Sequence, residues 1–235
     1  MLPKSRCVIL VPVGGAIDPG CEDALRELER RGYAVWRVHG YSAIDAARNQ
    51  MTSDALAQRF DEFMWIDSDI VFDPDDIDKL RRHELPLVCG IYSKKGSRQF
   101  ASAFLPDTRQ VSFGVRGGLM EILYCGFGFV HTRRLLYETL RRQLELPLCN
   151  QRFQGSPLVP YFAPLAVGAG EHAWYLNEDY AFCERARRCG FRILADTSIR
   201  LWHVGPYRYG WEDAGRDVER FRDYTFHNTD AAPPV

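Results

Sequence analysis

The chain has 235 residues, 46% hydrophobic and 26% charged, with a formal net charge of -1. That is enough apolar material for one large domain or two intimate halves, and it shows no basic excess that would suit nucleic acid or an anionic membrane surface. No apolar run approaches the ~20 residues needed to span a bilayer, so no transmembrane segment is expected.

The N-terminal stretch Met1–Cys7 lacks the basic, apolar and small-residue layout of a signal peptide. The 7 cysteines include no CxxC pair and lie mostly in apolar runs. Reduced core thiols and a cytoplasmic location are the expectation.

In chain order, Cys7–Val13 reads as an apolar strand ending at Gly14-Gly15. Cys21–Arg31 reads as a helix with Ala24, Leu25 and Leu28 on one face and Gly32 just past its end. Ala34–Val38 is a second strand. Ser42 to about Phe60 is a helix, and Ser42-Ala-Ile-Asp45 fits a capping box. Glu62–Ile66 is a third strand. Asp73 as N-cap with Pro74 at the first helical position opens a helix reaching His83. Leu87–Ile91 is a fourth strand. Apolar strands alternating with helices imply a mainly parallel sheet covered on both faces, with ligands beyond the carboxyl ends of its strands.

The second half differs. Residues 101–104, 110–115 and 120–124 read as short strands, Thr132–Leu144 as a helix capped by Thr132, and Glu178–Cys189 as a helix ended by Gly190. Ile193-Leu194 and Ile199–Trp202 read as strands. Between Pro147 and Tyr175 there is no periodicity; prolines, glycines and the aromatics Phe153, Tyr161, Phe162, Trp174 and Tyr175 mark a long loop. From Pro206 a charged, aromatic tail follows.

The most informative segment is Phe63-Met-Trp-Ile-Asp67-Ser-Asp69. A buried strand ends in two carboxylates one residue apart, whose repulsion and desolvation call for a cation or strong donors. Oxygen-rich sites of this kind suit Mg²⁺ or Mn²⁺, which in turn bind phosphate oxygens. Glu178 and Asp179 open a helix, where acids are favoured by the dipole, and either would also suit a general base. Arg48 is placed to grip a diphosphate or to pair with Asp45, and Asp45 either meets a base edge or completes the capping box. Lys94 and Lys95 are a basic pair open to a phosphate role.

Asp67-Ser68-Asp69 after a strand resembles the "DxD" motif of GT-A-fold glycosyltransferases, family 2-like and of bacterial or phage type, distantly similar to fungal mannosyltransferases. Three more features follow in the family's order: Gly126-Phe127-Gly128 resembles the glycine loop beneath the donor sugar, Asn177-Glu178-Asp179 the "xED" motif, and His203 the C-terminal metal-binding histidine. The resemblance runs from Cys7 to Gly205.

It implies a GT-A-like α/β fold with a mostly parallel sheet flanked by helices and a small antiparallel portion in the second half. Residues 1–105 would bind nucleotide and metal, 106–210 the donor sugar and acceptor, and 211–235 would form a tail. Asp69 would coordinate Mn²⁺ or Mg²⁺ directly, Asp67 the ribose or the metal through water, and His203 would be the third ligand. Asp179 would be the base and Glu178 would bind a sugar. Pro12, Val13 and Gly14 would pack on the nucleobase, with Asp45, Arg48, Ser68, Lys94, Gly126, Phe127 and Gly128 completing the donor site. Trp174 or Tyr161 would stack on an acceptor sugar.

The activity implied is transfer of a sugar from a nucleoside-diphosphate sugar, UDP- or GDP-linked, to a glycan or other hydroxyl acceptor, as in bacterial glycan synthesis. Two alternatives stay open: a sugar-1-phosphate nucleotidyltransferase, suggested by Gly14-Gly15 but lacking a longer glycine-rich basic run, and a non-catalytic domain that binds nucleotide or glycan.

Overall fold

The computed structural model describes residues 1–152, 156–215 and 224–228. Phe153 and Gly155 of the long loop, and most of the tail beyond Gly215, lie outside the described residues. Strands β1 (Cys7–Val13), β2 (Ala34–His39), β3 (Glu62–Ile66) and β4 (Ile70–Val71) alternate with helices α1 (Pro19–Arg30) and α2 (Ile44–Ala57). Helix α3 (Asp75–Arg82) leads to β5 (Leu87–Cys89), β6 (Ser102–Ala103), β7 (Gln110–Phe113), β8 (Leu119–Ile122), β9 (Tyr124–Cys125) and β10 (Phe129–Arg133). Helix α4 (Arg134–Gln143), the hairpin β11 (Leu165–Val167) and β12 (Trp174–Leu176), and helix α5 (Glu178–Arg188) follow. The last elements are β13 (Ile193–Asp196), β14 (Trp202–Val204), β15 (Arg208–Tyr209) and β16 (Tyr224–His227).

The central sheet has 7 strands in the order β2-β1-β3-β10-β5-β13-β8. The pairings β1–β2, β1–β3 and β5–β13 are parallel, and only β10 and β8 run against the others. The α/β class with a largely co-directional sheet and a smaller antiparallel portion is therefore the one found. Side chains alternate across β1, so Val8 and Leu10 join one core and Cys7, Ile9, Val11 and Val13 the other. Helices α2, α4 and α5 cover the first face with Met51, Leu136, Leu140 and Phe182, and α1 and α3 cover the second with Leu25, Leu28, Ile77 and Leu80. Burying each such side chain contributes about 1.5–3 kcal/mol, which holds the strand ends, and the loops they carry, in one place. Among the described residues no helix is long and apolar enough to cross a membrane.

Several local expectations are corrected. Helix α1 starts at Pro19 because the Asp18 carboxylate accepts from Gly20 N at 2.8 Å, a cap the apolar pattern did not reveal. The Ser42–Asp45 capping box does not form: α2 begins at Ile44 after Ala43, with no side-chain cap. Asp73 does accept from Asp75 N at 2.9 Å, although α3 is regular only from Asp75. Ile199 and Leu201 are buried but lie outside any strand, because the Asp196 carboxylate accepts from Ser198 N (2.9 Å) and turns the chain before β14. The irregular 147–175 stretch contains the β11–β12 hairpin. In the tail, Trp211 is buried and donates to Ile91 O at 3.2 Å, and β16 pairs with β7.

Thr132 lies in β10 and does not cap α4. Its hydroxyl is 2.8 Å from Tyr137 Oη, which also accepts from Trp65 Nε1 at 2.9 Å, all within the core under β3. Tyr137→Phe is expected to lower unfolding free energy by about 1–3 kcal/mol, because the buried Trp65 donor keeps no partner. Urea unfolding with an unchanged m-value would measure it; an unchanged midpoint would contradict the account.

Candidate active site

β3 delivers Asp67 and Asp69 to the carboxyl edge of the sheet. Beyond Ile66 the chain turns, with Asp67 N donating to Gly128 O (3.0 Å) and Ile70 N to Asp67 O (3.0 Å). β14 pairs antiparallel with β4, His203 opposite Ile70, and Val204 N donates to Asp69 O at 2.7 Å. That small sheet is what carries His203, remote in sequence, to Asp69.

Arg48 comes from α2 and is 2% exposed. Its guanidinium lies 5.7 Å from the Trp65 ring centroid and 5.6 Å from that of Phe127. Nη2 donates to Asp67 Oδ1 at 3.1 Å and lies 3.5 Å from Asp179 Oδ1, while Nε and Nη1 have no hydrogen-bond partner. Arg48 thus pairs with Asp67 and Asp179, not with Asp45.

Asp179 sits in the first turn of α5. Its Oδ2 accepts from Phe127 N at 3.0 Å, and its enclosed Oδ1 has no hydrogen bond. Burial pushes its carboxyl up, Arg48 opposes, and the neighbouring charges of Glu178 and Asp67 add to the rise, leaving it at about 7. It is therefore poised to exchange a proton near neutrality.

Asp69 is held differently. Lys95 Nζ donates to its Oδ2, and His203 Nε2 lies 3.6 Å from its Oδ1. Burial pushes the Asp69 carboxyl up, but His203 and Lys95 outweigh it and hold the group below the usual carboxylate range. His203 Nδ1 is 2.8 Å from Ser93 O. A carbonyl only accepts, so Nδ1 donates there, and Nε2 is the ring nitrogen left facing Asp69 and the cleft.

The expected three-ligand set does not assemble, since Asp67 is engaged by Arg48. Among the described residues no three His, Cys, Asp or Glu side chains gather to hold an ion. Asp69 and His203 alone fit two positions of an ion that completes its shell with water and phosphate oxygens, as Mg²⁺ and Mn²⁺ do.

Two clefts meet at these groups. The first, about 530 Å³, is lined by Pro12, Gly14, Gly15, Ala16, Tyr41, Ile44, Arg48, Asp67, Ser68, Asp69, Lys95, Glu178, Asp179 and His203. The second, about 430 Å³, is lined by Tyr92, Lys94, Ala101, Gly126, Trp174, Tyr175, Asn177, Glu178, Asp179, Tyr180 and His203. Glu178, Asp179 and His203 line both.

Other candidates fall elsewhere. Val13 and Phe127 are core residues, Asp45 is half-buried outside both clefts, and Lys94 contributes to the second cleft where Lys95 contributes to the first. Tyr161 is buried with its ring 5.3 Å from that of Tyr137, and cannot stack on a sugar from there. The glycines at 126 and 128 make room for Tyr92, whose hydroxyl would lie 2.5 and 2.6 Å from a Cβ at each, and Gly128 N donates to that hydroxyl at 2.9 Å. Tyr41, Tyr92 and Tyr180 were not singled out as site residues from the sequence. Tyr41 and Tyr92 each lie just past the carboxyl end of a strand, a position that marks ligand-facing residues in such sheets.

No protein-family model matches the chain, and no curated protein matches it in sequence. Among solved structures it is similar to A197 from STIV, with a TM-score of 0.57 and 18% identity, over 92% of this chain and 97% of that one. A glycosyltransferase involved in the glycosylation of the major capsid of PBCV-1 scores 0.33 at 13% identity over 63% of this chain and 71% of that one. An inositol-1-phosphate CTP transferase from T. maritima scores 0.38 at 10% identity over 87% and 91%. The two lower scores carry no argument about this chain. The likeness to A197 is one of fold: this chain shares its α/β architecture over nearly the full length of both.

Proposed function

We propose that the protein is a glycosyltransferase that moves a sugar from a nucleoside-diphosphate sugar to an acceptor hydroxyl. The observation that carries this reading is the placement of Asp179, a carboxyl with one enclosed oxygen free of hydrogen bonds and facing Arg48, where a polar cleft with acids and cations meets an aromatic one. A transfer that deprotonates its acceptor needs a base placed between the donor and the acceptor.

In this reading the donor fills the first cleft, with its base near Pro12, Gly14 and Tyr41 and its diphosphate near Asp69 and Lys95. Asp69 and His203 would hold a Mn²⁺ or Mg²⁺. When bound, that ion supplies Lewis-acid neutralisation of the departing diphosphate. The acceptor enters the second cleft, where Trp174, 46% exposed, offers a stacking face. Asp179 removes the acceptor hydroxyl proton as the oxygen attacks the anomeric carbon and the bond to the diphosphate breaks. Direct attack with a single base inverts the anomeric centre.

The test is a panel of UDP-, GDP- and dTDP-sugars with Mn²⁺, reading thermal shift and nucleotide release. At least one donor is expected to raise Tm and to be consumed, releasing a nucleoside diphosphate. Pyrophosphate release from a nucleoside triphosphate and a sugar-1-phosphate would instead identify a nucleotidyltransferase, and no stabilisation by any donor would overturn the reading.

A further inference from the structure

Lys95 stands at the tip of a short hairpin closed by Lys94 N donating to Gln99 O (2.8 Å) and by the Ser93–Phe100 bridge, with Gly96 in the left-handed region at φ 69°. The base of that hairpin is fixed: Ser93 is fully buried and its carbonyl pins the His203 ring. The tip is not fixed in the same way. The Lys95 side chain is 32% exposed and passes Gly205, where a Cβ would lie 3.1 Å from Lys95 Cδ. The Asp69 backbone and the His203 ring are thus each held by a hydrogen bond, and the ammonium on Asp69, at the end of a four-carbon stem, is the partner that can leave.

An ammonium and a divalent ion compete for the Asp69 carboxylate, because two cations a few ångströms apart repel where water is partly excluded. The displaced ammonium needs an anion, and a diphosphate in the same cleft is one; a lysine on a flexible four-carbon stem can reach it as a point charge.

We propose that Lys95 is an exchange group: it neutralises Asp69 until a divalent cation arrives with a diphosphate, then passes to the diphosphate, so that the cation binds well only in the company of that anion. This rests on the donor-site reading above. It makes metal occupancy depend on the donor, and makes Lys95 a diphosphate-binding residue in the loaded site.

The experiment titrates Mn²⁺ into wild-type protein and into Lys95→Met and Lys95→Arg, following the free-ion electron paramagnetic resonance signal, alone and with UDP or GDP, the diphosphate arms corrected by a protein-free titration of the same nucleotide. Wild-type protein is expected to bind Mn²⁺ weakly alone and about tenfold or more tightly with the matching diphosphate. Lys95→Met is expected to bind Mn²⁺ alone about five- to tenfold more tightly than wild type, with a smaller further gain from the diphosphate than wild type shows. Lys95→Arg, which keeps the competing charge, should stay close to wild type. If wild-type protein takes up Mn²⁺ with a diphosphate but Lys95→Met binds the ion alone no more tightly, Lys95 is a static salt-bridge partner and the exchange is overturned while the donor site stands. Absence of Mn²⁺ binding by all three proteins in every condition overturns both.

Discussion

Asp179→Asn is expected to lower kcat by about 10²–10⁴-fold, the range for loss of a positioned general base, while leaving the donor's thermal shift intact. The amide keeps an oxygen that can accept the Phe127 N–H bond, so the start of α5 and the glycine loop stay together. What is lost is the ability to take a proton, together with the charge that faces Arg48. A variant that keeps activity within tenfold of wild type would remove Asp179 from the mechanism. If Glu178→Gln instead shows the large loss, the base is its neighbour, which lines both clefts as well.

The same carboxyl sets the expected pH dependence. A base must be ionised to act, and burial holds Asp179 at about 7. Activity should therefore rise as pH increases through neutrality and level off above it, and the acidic limb should vanish in the small residual activity of Asp179→Asn.

Much of the frame was readable without coordinates. The limits of β3, Glu62 to Ile66, followed from an apolar run ended by acids, and the start of α5 at Glu178 followed from acids favoured at a helix N-terminus. Both signals are local. The features that failed depend on distant partners. Whether Arg48 pairs with Asp45 or with Asp67 and Asp179 depends on how α2 and α5 settle on the sheet, which no spacing encodes. The room left by the glycines at 126 and 128 is filled by Tyr92, a residue from another strand end. Tyr161, expected to stack on an acceptor sugar, is buried against Tyr137 because the backbone on either side of it is bonded to α2, Val159 N donating to Ser53 Oγ and Phe162 N to Asn49 Oδ1. His203 was identified from motif order, yet the strand bearing it was misplaced toward Ile199, because a buried apolar residue looks the same whether or not its backbone is paired.

Arg48→Met should cost about 3–5 kcal/mol of stability at pH 8, the range for removing one partner of a buried ion pair. Methionine fills much of the apolar space between Trp65 and Phe127, so the loss is mainly electrostatic: Asp67 and Asp179 are left facing each other without the guanidinium. The sign of its pH dependence follows from Asp179. Its folded-state pKa, about 7, is above its ordinary value of 3.8, so its contribution favours the folded state at low pH and is lost as pH rises through 7. Without Arg48, the largest influence lowering that pKa disappears, and the window of loss moves to still higher pH. The gap between wild type and Arg48→Met should accordingly be widest at pH 8 and narrow toward pH 5, where Asp179 accepts a proton and no longer sits there as an unpaired charge. Urea unfolding of both proteins at pH 5 and pH 8 measures this directly. An equal gap at the two pH values would mean that the guanidinium does not act through the charge of Asp179.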